Sequence, residues 1–198
     1  TNTLTATSGS LSGSPVTFTA TGTAGAASKL AFTTQPSATT VAGVAFAQQP
    51  VVTIQDAQGN TVTTATNEVT LSLASGTGTL SGTLNATAVN GIATFSGLSL
   101  NLIGANKTLG AAATGLTGAT SSTFEITAAA ASQISINDGN GQTATAGSAV
   151  AIDPSVLVRD AFNNPVAGVT VTFAIVSGNG VLADSVVTTN ASGIATLG

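Results

Sequence analysis

The chain contains no cysteine, histidine, methionine, tryptophan or tyrosine among its 198 residues. Without histidine it has no imidazole base and no Ser–His–Asp triad. Without cysteine it has no thiolate nucleophile, no disulfide and no thiolate zinc site. The lack of tyrosine and tryptophan removes the usual stacking platforms for sugars and bases. Most enzyme chemistry is therefore excluded, and we expect that the chain is not an enzyme.

Charge is also scarce, because only 5% of residues are Asp, Glu, Lys or Arg. Three basic residues against seven acidic ones give a net charge of −4. Nucleic-acid binding rests on the neutralisation of phosphates by Lys and Arg, so we expect no nucleic-acid partner. Apolar residues are abundant, but Thr, Ser, Gly or Asn interrupts every run long before the roughly 18 residues that a spanning helix needs. We therefore expect no membrane insertion of this segment.

What the sequence does contain is an internal repeat of about 104 residues, the size of one small domain. The repeat predicts one complete unit at 29–132. Residues 1–28 then correspond to the C-terminal strands of a preceding unit, and residues 133–198 to the N-terminal part of a following unit. The matching segments are 28–32 with 132–136, 52–57 with 156–161, 91–95 with 193–197, and 4–18 with 109–124.

Within each unit the apolar residues alternate with polar or small ones at a period of two, which predicts half-buried antiparallel strands. Leu30 with Phe32, Val52 with Ile54, and Ile92 with Thr94 follow this pattern. Short strands separated by Gly and Asn turn signals every 8–12 residues are typical of two-sheet sandwiches. The sequence therefore predicts an all-β fold of tandem immunoglobulin-like β-sandwich modules in an extended array.

Several of these segments resemble bacterial Ig-like modules of the invasin/intimin type. They are Asp-Ala-Gln-Gly-Asn at 56–60, Asp-Ala-Phe-Asn-Asn-Pro-Val at 160–166, and the Gly-Ile-Ala-Thr strand at 91–94. In that family such modules form the stalks of outer-surface adhesins, and recognition often sits in a different terminal domain. The resemblance implies an extracellular location on a bacterial cell surface, and neighbouring Ig-like modules as partners.

Asp56 and Asp160 occupy equivalent positions directly after a predicted strand. A metal ligand or a catalytic carboxylate is one interpretation. The other, which we favour, is a structural turn in which the carboxylate accepts backbone N–H groups, since Gly and Asn follow. Phe162 stands in this turn where the first unit has Gln58, and we expect it to contact a neighbouring module.

Asp138, in the polar stretch 137–141, is a candidate calcium ligand. Calcium needs several oxygen ligands, so Asp153 or Asp184 would have to approach Asp138 in the fold. We expect a polar surface loop there and no cofactor. Lys107 is expected to be a solubilising charge on the surface.

The leading functional hypothesis is a structural repeat segment, either of a stalk or of a head-to-tail fibre. In the fibre, residues 1–28 of one copy would complete residues 133–198 of the next by strand donation. The alternative is an adhesive module that recognises a host protein or glycan directly, against which the low aromatic content counts. An enzyme built on paired carboxylates is the weakest hypothesis. It needs two acidic side chains close together, and the acidic residues are scattered singly along the chain.

Overall fold

The computed structural model describes residues 1–182 and 184–198. The fold is all-β, as predicted, with eighteen strands in this part of the chain. Val, Ile, Leu, Phe and Thr alternate through the strands, and Gly or Asn with positive φ stands in the turns between them. Among the described residues no helix is long and apolar enough to cross a membrane.

Residues 2–20 form an antiparallel hairpin, here called the N-terminal hairpin, of β1 (Asn2–Ala6) and β2 (Val16–Ala20). Leu4 lies opposite Phe18, and Thr3 lies opposite Thr19. Successive side chains of a strand point to opposite faces, so one face of the hairpin is apolar and the other carries threonines. All ten strand residues are exposed. The hairpin therefore buries neither face against the rest of the chain.

Residues 29–132 form a two-sheet sandwich, here called the central unit. One sheet has the order β3-β5-β9, and the other has the order β4-β13-β11-β6-β8, with β12 beside β11. β7 and β10 form a separate pair. The strands are β3 (Lys29–Thr34), β4 (Thr39–Val41), β5 (Val51–Gln55), β6 (Glu68–Ser75), β7 (Leu80–Ser81), β8 (Asn85–Thr87), β9 (Ile92–Thr94), β10 (Ser99–Leu100), β11 (Gly104–Ala112), β12 (Ala119–Thr120) and β13 (Phe124–Thr127).

The hydrophobic core of the central unit lies between these two sheets and contains eighteen buried apolar residues. Val52 and Ile54 enter it from β5, and Leu109 enters it from β11. At its centre the rings of Phe46 and Phe124 meet edge to face, with their centroids 5.1 Å apart. Burial of side chains of this size contributes roughly 1.5–3 kcal/mol each. This core therefore contributes much of the stability of the central unit.

The buried face of β9 is not the one that the alternation indicated. The alternation placed Ile92 and Thr94 on one face of the strand, but the buried residues are Ala93 and Phe95, and Ile92 is exposed. Within β9 itself the inward residue is the small Ala93, so the alternation is ambiguous, because a slip by one residue exchanges the two faces of a strand. Here the pairing of Ala93 with Val52 in β5 settles which face is buried.

Residues 133–198, here called the C-terminal unit, repeat part of this arrangement. β14 (Gln133–Asp138), β15 (Ser155–Arg159) and β18 (Ile194–Thr196) form a sheet in the order β14-β15-β18, and β16 (Thr170–Thr172) pairs with β17 (Val186–Thr188). These pairings match β3-β5-β9 and β6-β8 of the central unit. The buried apolar cluster contains only three residues, which are Val158, Val171 and Ala195. In the described part of the chain no strand pairs with the free edge of β16.

Candidate functional site: the junction at Asp160

A polar cluster in the C-terminal unit surrounds Asp160, which directly follows β15 and is fully buried. Its Oδ1 accepts hydrogen bonds from the backbone N–H of Phe162 (2.8 Å) and of Asn164 (2.9 Å). Its Oδ2 accepts from the Asn164 side-chain amide (2.9 Å) and from the backbone N–H of Ala129 (3.0 Å). Asn163 adopts a φ of 66° to close this turn. The carboxylate therefore ties the turn to the segment that precedes its own unit.

The same arrangement recurs at Asp56, which follows β5 in the central unit. Its Oδ1 accepts from the backbone N–H of Asn60 (2.9 Å). Its Oδ2 accepts from the Asn60 side-chain amide (2.9 Å) and from the backbone N–H of Gly25 (2.8 Å). Gly59 has a φ of 91°, a backbone conformation that favours glycine. Both carboxylates thus hold the segment leading into their unit, in the turn geometry that the sequence interpretation favoured.

These hydrogen bonds stabilise the charged form of both carboxylates. The Asn60 side chain, followed by the Gly25 N–H, lowers the pKa of Asp56 from 3.8 to about 2. Burial of Asp160 acts in the opposite direction and raises its pKa. The donors Asn164, Ala129 and Phe162 outweigh that effect, so that the pKa of Asp160 lies below its ordinary value. Both groups are therefore anions at neutral pH.

Asn164 extends the Asp160 cluster into the central unit. Its side-chain amide also donates to the backbone carbonyl of Asn101 (2.8 Å). Its Oδ1 accepts from the backbone N–H of Ile103 (3.1 Å). Asn164 is buried, and its side-chain amide donates to the Asp160 carboxylate and to a backbone carbonyl at once. One side chain thus joins the turn of one unit to a loop of the other. Among the described residues, the equivalent Asn60 has only its bonds to Asp56.

Phe162 makes the apolar part of the same junction. Its ring lies directly against Gly43, in the turn after β4 of the central unit. A Cβ atom at Gly43 would overlap this ring, and Gly43 also has a φ of 75°, so a larger residue is disfavoured there on two grounds. The structure thus places Phe162 at the boundary between the two units.

Sequence reasoning did not identify Asn164, Asn101, Ile103 or Gly43 as junction residues. The recurrence of Asn at 60 and 164, four residues after each Asp, was a usable signal for Asn164. The bonding groups at 101 and 103 belong to the backbone, so residue identity carries no information about them. Nothing in the sequence could reveal that part of the junction.

The calcium candidates lie apart from this cluster. Asp138 ends β14, and its Oδ1 accepts the backbone N–H of Gly139 (2.8 Å). Asp153 lies in the loop before β15, and Asp184 lies between β16 and β17. Within residues 1–182 and 184–198 no group of three or more Asp, Glu, His or Cys side chains is arranged to hold a metal ion.

The expectation for Lys107 was wrong, because its side chain is buried in the central unit. The ammonium donates to the backbone carbonyl of Thr77 (2.7 Å), and the stem packs against Gly76 and Gly104. Burial lowers the pKa of this amine. A long side chain can cover apolar surface along its stem, so its charge alone did not reveal its location.

A groove of about 550 Å³ lies between residues 22–24 and 60–64. Gly, Thr, Ala, Asn and Val line it, and none of these residues is titratable. The groove therefore offers hydrogen-bonding groups but no acid, base or nucleophile with a perturbed pKa.

No known family model matches this chain, and no curated protein matches it either. Among solved structures, the chain is similar to a glycosyl hydrolase family 2 member from Bacteroides cellulosilyticus, with 16% identity and a TM-score of 0.43. The match covers 57% of this chain and 15% of that protein. A likeness at this level carries no information about activity.

Proposed function

We propose that this chain is a structural repeat segment of a bacterial cell-surface protein, in a stalk or fibre outside the cell. Its task would be to hold consecutive sandwich units in a fixed relation. The observation that carries the proposal is the Asp160–Asn164 cluster, which bonds the turn after β15 to Ala129 and to the loop at Asn101 of the central unit. Invasin/intimin-type modules, which the sequence resembles, serve such a role.

The chemistry of the junction supports a mechanical role. Hydrogen bonds to an ionised acceptor are stronger than neutral ones, and those at Asp160 are shielded from water by burial. Two more bonds join Asn164 to the loop at 101–103, and the Phe162 ring packs against Gly43 of the central unit. A spacer needs such a joint, because freely hinged units would not keep an extended shape.

The test is a distance measurement across the junction by pulsed electron paramagnetic resonance. The chain has no cysteine, so Ser72→Cys in β6 and Thr188→Cys in β17 would be its only labelling sites. We expect a narrow distance distribution in the labelled parent, recorded in an excess of unlabelled chain. A distribution as broad as that of two flexibly tethered domains would overturn the proposal.

Asn164→Ala should broaden this distribution, because it removes both bonds to the central unit. Asn60→Ala is the matched control, since it removes the same turn contact to an Asp without touching the junction. Equal distributions in the two variants would show that Asn164 does not fix the joint.

A further inference from the structure

In the central unit, the first segment (residues 28–42) is bonded directly to the last segment (residues 117–127) at two places, and the backbone runs parallel at both. At the first place, the N–H of Leu30 donates to the carbonyl of Thr117 (2.8 Å), and the N–H of Thr117 donates to the carbonyl of Ser28 (2.9 Å). At the second place, β4 pairs with β13. No strand lies between the two segments at either place.

The β4–β13 ladder is the longer of these two contacts, with three residues of each strand directly paired. Further bonds extend it in both directions. The backbone N–H of Glu125 donates to the carbonyl of Ala38 (2.9 Å), and the N–H of Ala42 donates to the carbonyl of Thr127 (2.9 Å). Ala42 is 1% exposed, so water has little access to the bond that it makes.

The parallel direction of this ladder decides how it responds to tension along the chain. Tension on the central unit pulls β4 toward its N-terminus through Lys29, and it pulls β13 toward its C-terminus through Thr127. Because the two strands run in the same direction, these pulls are opposed along the strands, and all bonds of the ladder are loaded together. In an antiparallel pair the two loaded ends would lie side by side, and the bonds would break one after another.

β3 lies between Lys29 and β4, so tension loads it as well. It pairs with β5, the middle strand of the other sheet. Load on that pair reaches β13 through the packed core, whereas β4 is joined to β13 by main-chain bonds. The β4–β13 ladder is therefore a direct path for tension between the first and last segments of the unit.

We infer that the β4–β13 ladder is a shear clamp, through which the central unit bears tension along the chain. This load-bearing role rests on the proposed function as a stalk or fibre segment. Resistance to force is governed by the rate of unfolding, and that rate depends on the bonds that break at the barrier. The bonds that break there are those between β4 and β13.

The direction of pulling tests the clamp without altering its strands. Single-molecule force spectroscopy would hold the full chain by its two termini, or by a Val44→Cys handle and the C-terminus. Val44 follows β4 and is 55% exposed, and the chain has no other cysteine. In the second geometry both strands are pulled from their C-terminal ends, so the ladder opens bond by bond and the central unit should unfold at a lower force. Equal forces in the two geometries would overturn the inference.

Proline substitution tests the individual bonds. Ala42→Pro removes the N–H that donates to Thr127, and its matched control Ala88→Pro removes the N–H that donates to the carbonyl of Asn67 (3.0 Å), between β8 and β6. Both alanines are 1% exposed and directly follow a strand. Both variants should lower the melting temperature of the central unit, because each loses one buried backbone bond.

Only Ala42→Pro should weaken the unit under force. At a fixed force it should unfold roughly three- to tenfold faster than the parent, because its bond is among those that break at the barrier. Ala88→Pro should unfold at nearly the parent rate, since β8 is still paired with β6 at that point. Equal rates in the two variants would overturn the inference. The pulling-direction test does not depend on the folding of either proline variant.

Asn164→Ala separates the clamp from the junction. It removes bonds between the two units and none in the β4–β13 ladder, so the central unit should unfold at the parent force. A lower force in this variant would assign the resistance to the junction and overturn the inference. A broad distance distribution across the junction, together with a force that depends on the pulling direction, would count against the proposed joint and leave the clamp in place.

Discussion

The central and C-terminal units contain the same three-stranded sheet, and the same Asp-centred turn follows the middle strand of each. They differ in what covers the sheet. In the central unit β11 and β13 complete the second layer, and eighteen apolar residues form the buried core. In the C-terminal unit that layer consists of β16 and β17, and three residues form the core.

The comparison distinguishes local structure, which recurs in both units, from burial of apolar side chains, which does not. Turns and strand pairing recur in both units, because they depend on local polar groups such as Asp160 and Asn164. Burial does not recur, because it depends on strands distant in sequence that must be present together. Strand pairing and turn geometry are therefore the same in two units whose buried clusters differ in size. The stabilities of the two units should differ accordingly.

The largest expected difference in stability is between alanine substitutions of Phe124 and of its counterpart Phe18. Phe124→Ala leaves a cavity beside Phe46 and should destabilise the central unit by about 3–5 kcal/mol. Phe18→Ala removes an exposed ring and should change the stability of the central unit by less than about 0.5 kcal/mol. Calorimetry of the two variants measures both. Similar losses in the two would show that the hairpin is already packed within its own chain.

The next effect concerns the buried carboxylate of the junction. Asp160→Ala leaves four donors without their acceptor and should destabilise the C-terminal unit by about 2–3 kcal/mol. The expected result is a lower melting temperature for the C-terminal unit and an unchanged one for the central unit. Asp138→Ala removes an exposed carboxylate and serves as the control. A loss in the control as large as that in Asp160→Ala would contradict the role given to the junction.

Lowering the pH should reduce the stability of both units, because the carboxylates in their turns become protonated. The pKa of Asp56 is about 2 in the folded chain and 3.8 ordinarily, so the unfolded chain binds protons more readily between these values. The stabilisation is fully present above about pH 4 and is lost as the pH falls toward 2. Asp160, whose pKa is also lowered, acts in the same direction. Melting temperatures from pH 7 to 2 should fall less in Asp56→Asn than in the parent. Parallel curves would contradict this assignment.

The smallest expected effect concerns the apolar junction contact. Phe162→Ala should cost about 1 kcal/mol in the C-terminal unit, because the ring is only partly buried against Gly43. The matched change in the first turn, Gln58→Ala, should have almost no effect on stability. Chemical denaturation followed by circular dichroism compares the two. An equal change in stability in the two variants would mean that the contact of Phe162 with Gly43 does not stabilise the C-terminal unit.

Much of this comparison could be predicted from the sequence, for identifiable physical reasons. The strand class followed from period-two alternation, and the turns followed from Asp, Gly and Asn at fixed offsets. The face of β9 was mistaken because its inward residue is a small Ala93 beside a larger Ile92. The burial of Lys107 was missed because it depends on the glycines packed around its stem. The bonds at 101 and 103 involve only backbone atoms, which no residue pattern encodes.

The most direct test of this account is amide hydrogen exchange of the full chain. We expect strong protection in β5, β6 and β11, whose side chains lie in the eighteen-residue core of the central unit. We expect weak protection in β14 and β16, since the buried cluster of the C-terminal unit contains three apolar residues. Equal protection of the two units would contradict the account.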